Sequence, residues 1–326
     1  MKAVHIKEFG EVDNLEIVEI DDPDRPKQGE VQVRVKAAGL NRADILQRMG
    51  RYPAPSGYPE RIPGLEFAGI VESLGSDVNG VSVNDRVMGI IPGGAQAEFL
   101  NINADLLSPI PSSMTYEQAA AIPEAFVTAY DSLLRQAELN EGEKVLVHAV
   151  ASGVGLAATQ IAKSVGAQVY GTSRSAEKLI RAAEFGLTGT FDTTDGRSFA
   201  EWIRETIGGV DVILDLVGAK YLKENIESLN QKGRLMLVGL TSGAKTEIDL
   251  SVVLSKRLTL KGTVLRSRSL EERKVITAMF NENIMPMFES GELIPNVDSV
   301  FPVSEIREAH RRIEANQNFG KVIITF

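Results

Sequence analysis

Three small residues, Gly153, Gly155 and Ala158, stand where an apolar run, 145–150, meets an amphipathic one, 156–165. Apolar positions at helical spacing in the second run, after a short apolar stretch, predict a strand turning directly into a helix. At such a junction the first glycine permits a tight turn and the second lets the main chain approach a diphosphate. The third small residue lets helix and sheet pack closely. The helix N-terminus adds unpaired N–H groups and the positive end of a dipole. Gly153, Val154 and Gly155 are therefore expected to hold a dinucleotide diphosphate. Ser152 is a small hydroxyl beside them that can touch cofactor or substrate, or simply close the turn. A bare GxGxxA pattern is weak; strand before, helix after and a second strand at the right distance make it specific.

The nucleotide type follows from the next strand. Units that bind NAD place an acid about 20 residues past the first glycine, to accept from a ribose hydroxyl. Here that stretch reads Gly171-Thr-Ser-Arg-Ser-Ala-Glu-Lys178, with Ser173 and Arg174 at the expected place. Hydroxyls together with Arg174 and Lys178 suit a ribose phosphate that an acid would repel. NADPH is the expected cofactor. Glu177 counts against it, and the same residues can form a solvated helix start.

Bulk composition narrows the remaining classes. Lys and Arg number 35 against 44 Asp and Glu, a net charge of −9, with pI near 5.1. No basic field is available for a nucleic-acid backbone, so nucleic acid is not an expected partner. With no cysteine, disulfides, thiolate metal sites and thiol nucleophiles are all excluded. The three histidines, His5, His148 and His310, show no paired ligand spacing. His148 ends an apolar strand and is expected to be a satisfied core side chain. No signal peptide is visible at the start, and no apolar run approaches the roughly 18 residues of a membrane span. A soluble, cytoplasmic protein without membrane partners is expected.

The elements around the junction divide the 326 residues into two expected domains. Residues 1–100 read as short strands (15–20, 31–38, 69–74, 86–90) broken by Pro and Gly, the pattern of a small barrel or sandwich. A short helix, 42–49, precedes a Pro- and Gly-rich loop, 51–63. An alanine-rich helical stretch covers 116–136. Strands 145–150, 168–171, 210–215, 234–238 and 258–261 then alternate with helices 156–165, 176–185, 199–206 and 221–229. Apolar strands without polar alternation require a parallel sheet covered on both faces. A long helix 270–289, a strand near 300–302, a helix 306–315 and a closing strand 320–325 follow, and are expected to return to the first domain.

Together these features resemble the medium-chain dehydrogenase/reductases, and within them the zinc-free quinone oxidoreductases related to zeta-crystallin. The stretches that carry the resemblance are GLNRADILQRMGRYPAP from Gly39, PGLEFAGIVESLG from Pro63, AAAIPEAFVTAY from Ala119, SGVGLAATQ from Ser152, LRSR from Leu265 and EANQNFGKV from Glu314. The resemblance implies an α/β fold: a GroES-like β-barrel domain, 1–121 with 263–326, and a Rossmann doubly wound parallel sheet, 122–262. Zinc-dependent members hold their metal with Cys, His and Cys. The matching residues here are Asn41, Leu65 and, less securely, Glu124, so no metal is expected. Without a Lewis acid to stabilise an alkoxide, reduction of an electron-poor quinone is favoured over alcohol oxidation.

By the same resemblance, the nicotinamide is expected in the cleft between the domains, near Asn41, Thr128, Val217, Val238, Gly239 and Leu265, with Leu240 and Ser267 as further cofactor contacts. Thr193 is expected on the adenine side, where many relatives have Asn-Tyr and this chain has Asp192-Thr193. Asn41, Tyr52 and Ser152 are the expected catalytic residues. Asn41 can donate to the acceptor oxygen or fix the loop backbone. Tyr52 can stack on a quinone, hydrogen-bond to it, or pack the Pro-rich loop. No side chain stands out as a general acid. Two other readings remain: a reductase of enoyl thioesters or alkenals, and a non-catalytic NADPH-binding structural or redox-sensing protein. The last strand of the sheet, 258–261, is expected to pair across a two-fold axis in a homodimer, with Lys256, Arg257 and Lys261 opposing it.

Overall fold

The computed structural model describes residues 1–326, which divide into two compact units: Met1–Val127 with Leu265–Phe326, and Thr128–Val264. The divisions fall a few residues later than the expected 121/122 and 262/263.

The first unit opens with an antiparallel pair, β1 (Lys2–Ile6) and β2 (Leu15–Glu19). It continues through β3 (Glu30–Leu40), β4 (Glu66–Leu74), β5 (Arg86–Ile90), β6 (Phe99–Asn103) and β7 (Leu107–Pro109). Along β3, Val31, Val33 and Val35 point inward by period two and pack with Phe67, Val71, Leu100 and Ile102. Each such side chain contributes about 1.5–3 kcal/mol on burial. The helix α1 (Arg42–Arg48) follows β3 at once. The alanine-rich stretch is not one helix. It divides into α2 (Tyr116–Ala119), α3 (Pro123–Tyr130) and a π-helical turn, Asp131–Gln136. Pro123 begins α3, where a missing N–H costs nothing.

The second unit is a six-stranded, all-parallel sheet. Its strands are β8 (Lys144–Val147), β9 (Gln168–Ser173), β10 (Gly189–Asp192), β11 (Val210–Asp215), β12 (Leu229–Leu237) and β13 (Thr259–Gly262). Their spatial order is β10-β9-β8-β11-β12-β13. The order reverses between β8 and β11, and the carboxyl ends of strands at such a point are where ligands bind in doubly wound sheets. The helices are α4 (Gly153–Ser164), α5 (Ala176–Ala183), α6 (Phe199–Thr206), α7 (Leu222–Ser228) and α8 (Leu250–Lys256). β10 and α8 are additions to the elements expected from sequence. The edge strand β13 is mostly exposed, and Leu250 and Leu254 on α8 are 69% and 81% exposed.

Beyond Leu265 the chain returns to the first unit. The expected 270–289 helix breaks into α9 (Leu270–Asn283) and α10 (Met285–Glu289) at Ile284, because Pro286 has no N–H to continue the ladder. After β14 (Val297–Pro302) and α11 (Ile306–Glu314), the closing strand β15 (Lys321–Thr325) completes a sheet ordered β14-β15-β3-β4-β5-β7, with β6 also on β3. β15 pairs antiparallel with the last residues of β3, Ala37 to Leu40, beside the start of α1. That pairing brings residues near the end of the chain to Asn41.

Candidate active site

In the second unit, β8 runs into the turn at Ala149–Ser152 and then into α4. Ser152 is the N-cap: its Oγ accepts from the Gly155 N–H at 3.1 Å. The amides of Gly153 and Val154 are left as the donors of that first turn, as a diphosphate requires. Two details depart from expectation. The left-handed residue of the turn is Ala149 (φ 49°), not Gly153. Gly155 answers to its own chain: a Cβ there would stand 2.6 Å from the carbonyl oxygens of both Ala149 and Val150. Ala158 is fully buried against the sheet, as expected.

Past β9, Ser173 Oγ accepts from Ser175 N–H at 3.3 Å, and Ser175 Oγ caps α5 by accepting from Lys178 N–H at 3.3 Å. Arg174 is exposed and Lys178 half-buried. Thr193 donates both N–H (2.9 Å) and Oγ1 (3.3 Å) to the Ser173 carbonyl, tying the ends of β9 and β10 together.

The loops after β11 and β12 are both tied to one buried residue, Asp215. Asp215 Oδ1 accepts from Val217 N–H (2.7 Å) and Gly218 N–H (2.9 Å), and the Asp215 carbonyl accepts from Val238 and Gly239 N–H. Its Oδ2 accepts from Asn225 Nδ2 at 3.0 Å, and Asn225 Oδ1 lies 2.6 Å from His148 Nε2. Asn225 Oδ1 can only accept, so His148 carries its proton on Nε2, and its Nδ1 accepts from Thr172 Oγ1 at 2.8 Å. Burial lowers the His148 pKa, so the ring is neutral and structural, as its sequence position suggests. Leu240 is exposed and Thr128 buried.

Within the first unit, Asn41, Tyr52, Leu265 and Ser267 occupy very different settings. Leu265 is buried and Ser267 exposed. Asn41 sits in a buried polar cluster: its Nδ2 donates to Glu66 Oε1 at 2.8 Å, and its Oδ1 accepts from Lys321 Nζ at 2.7 Å. Lys321 also donates to the Leu40 carbonyl at 3.0 Å and to Glu66 Oε1. Glu66 Oε2 accepts from the backbone of Glu124 at 2.8 Å. Gly39 is required beside this carboxylate, because a Cβ there would collide with Glu66 Oε1 and stand 2.7 Å from the Ala120 carbonyl. Asp44 accepts from the amides of Asn41 (2.7 Å) and Gly64 (2.9 Å); burial nonetheless raises its pKa to about 6.

Arg266 fixes the loop that carries Tyr52. It donates to the Pro92 carbonyl (2.6 Å), the Tyr52 carbonyl (2.9 Å) and Gln47 Oε1 (2.5 Å), and its guanidinium lies 4.7 Å from the centre of the Tyr52 ring. Burial raises the Tyr52 pKa, so the phenol keeps its proton. A further acid, read from sequence only as a match to a metal position, is Glu124. Its Oε2 is buried without a hydrogen-bond partner. Burial first, and then the Glu66 charge, push its carboxyl up to about 8, against the pull of Lys321.

Two family models match the chain: the alcohol dehydrogenase GroES-like domain over residues 27–112 and the zinc-binding dehydrogenase over 153–281. A quinone oxidoreductase of Lama guanicoe is 30% identical over 99% of this chain and 97% of its own length. A mycobacterial protein solved in complex with NADPH superposes with a TM-score of 0.90 at 30% identity, covering 100% of both chains. The CurK enoyl reductase superposes at 0.88 and 28% identity over 99% of this chain and 98% of its own. The chain belongs to the medium-chain dehydrogenase/reductase family. It is an oxidoreductase of that family, with a GroES-like unit and a Rossmann-type unit.

This medium-chain oxidoreductase does not offer a zinc site at the family's metal positions. Leu65 has no donor atom, both polar atoms of the Asn41 amide are engaged, and the Lys321 ammonium already lies among these groups as their positive charge. Only Glu124 remains, and one carboxyl cannot make a tetrahedral site. Glu66, Lys321 and Arg266 were not singled out from sequence. Each is a charged residue inside an apolar or family-specific stretch (PGLEFAG, FGKVII, LRSR), and that is the signal that marks them.

Proposed function

We propose that this oxidoreductase uses NADPH to reduce a small quinone without a metal. The observation that carries this reading is the donor set at the positions matched to zinc ligands, where an engaged amide, a leucine and a single carboxyl stand, with the Lys321 ammonium already bonded to the amide. When bound, the reduced nicotinamide supplies the hydride. The amides of Gly153 and Val154 and the α4 N-terminus hold the diphosphate, with Ser152 and Gly155 shaping the turn. Ser173, Arg174 and Lys178 take the ribose phosphate, and Thr193 borders the adenine side. Thr128, Val217, Val238, Gly239, Leu240, Leu265, Ser267 and Asn41 are the remaining cofactor contacts. Tyr52 stacks on the acceptor or donates to it; Arg266 holds its ring in place.

The quinone oxidoreductase relative and the neighbour complexed with NADPH support this reading. The enoyl reductase neighbour favours a second one, reduction of conjugated double bonds on the same scaffold. Steady-state NADPH oxidation with an ortho-quinone, an alkenal and a crotonyl thioester separates them. The highest kcat/KM should fall to the quinone, and faster turnover of the thioester would reverse the assignment. Cofactor binding without turnover of any acceptor would point to a non-catalytic protein. For the cofactor, Lys178→Ala should raise the KM for NADPH about tenfold, the loss of one charge-assisted contact, and leave NADH unchanged. Equal effects on both would remove the phosphate assignment.

No helix of this protein is long and apolar enough to cross a membrane.

A further inference from the structure

We infer that Glu124 is the acid that protonates the acceptor's oxyanion after hydride transfer, an inference that rests on the reductase reading above. Among the buried polar groups around Asn41, Glu124 alone keeps an acidic oxygen without a partner. Glu66 on β4 is held by Lys321, Asn41 and the Glu124 amide. Both oxygens of Asp44 on α1 accept backbone N–H groups. Lys321 on β15 donates to three oxygens. Arg266, between β13 and α9, donates to three more. Tyr52 carries a phenol made a still weaker acid by burial.

Charge counting explains why Glu124 stays protonated. Glu66 and Asp44 bring two negative charges, and Lys321 and Arg266 two positive ones. An ionised Glu124 would be a net, unpaired buried charge, which proteins avoid by shifting the proton equilibrium. The helix N-terminus does not offset this, because the Glu124 N–H is already given to Glu66. The residue as a whole remains partly accessible, although its unpartnered oxygen is buried. A carboxyl near pH 8 is well matched to protonating a phenolate or enolate, since a general acid works best with a pKa near the working pH.

The step balances. Hydride brings two electrons and one hydrogen to the conjugated carbonyl system, whose displaced π pair becomes a lone pair on oxygen. The Glu124 O–H bond then breaks as the new O–H bond forms on the acceptor. Glu124 is left as a carboxylate and recovers its proton from water. Acceptor, NADPH and one proton become reduced acceptor and NADP⁺.

The test is kcat against pH for the wild type and Glu124→Gln, with the quinone as acceptor. Wild-type kcat should fall above pH about 8, because the acid must carry its proton to act. Glu124→Gln should lower kcat about 100-fold, lose that limb and leave the Kd for NADPH unchanged. An equal kcat with the same alkaline limb would overturn the assignment while leaving the reductase reading intact; a wild type inactive with every acceptor would remove the reading itself. Infrared difference spectra give a readout apart from turnover. At neutral pH the wild type should show a protonated-carboxyl band that Glu124→Gln lacks, and identical spectra would overturn the assignment.

Discussion

Lys321→Met should lower the stability of the protein by about 3–5 kcal/mol, read as a shift in the urea unfolding midpoint, because it strips a buried carboxylate of its counter-charge. Lys321 is 5% exposed and Glu66 0%, and the pair also carries Asn41 and the Leu40 carbonyl. Methionine keeps much of the side-chain volume but provides none of the three donors. The double replacement Glu66→Gln with Lys321→Met should recover more than half of the loss, since replacing both members of a buried pair removes the stranded charge. A single variant that lost less than about 1 kcal/mol, the value of a solvent-exposed pair, would show that the cluster is hydrated and not a structural core.

The second large effect lies in the other unit. Gly155→Val should weaken NADPH binding about 100-fold in a fluorescence titration and lower stability by about 1–3 kcal/mol. A Cβ at that position meets two main-chain oxygens, those of Ala149 and Val150, at 2.6 Å, and neither is the movable end of a side chain. The loop must back away from α4. That movement breaks the Ser152 cap and misdirects the Gly153 and Val154 amides. Retained NADPH affinity in a folded Gly155→Val protein would mean that the diphosphate binds elsewhere.

Both effects bear on what is readable along a chain. The proposed dinucleotide loop was legible because all its parts are adjacent. Ser152 caps a helix that begins at the next residue, and the strand, turn and helix follow without interruption. The neutral role of His148 could be foreseen in outline from its apolar strand, although its tautomer could not. The same local signals missed the breaks at Pro123 and Pro286, each a proline inside an otherwise helical composition.

Sequence alone thus determined the two-unit architecture, the parallel sheet and the small-residue strand-to-helix loop, since each rests on periodicity and short-range sterics. Only the tertiary structure decided the polar cluster, where Lys321 reaches Glu66 across 255 positions and Arg266 reaches Gln47 across 219. It also put the left-handed turn on Ala149 and left one Glu124 oxygen buried and unpartnered. The physical reason is that desolvation and Coulomb energy depend on everything packed around a group. Those neighbours come together only when β15 lies down beside β3.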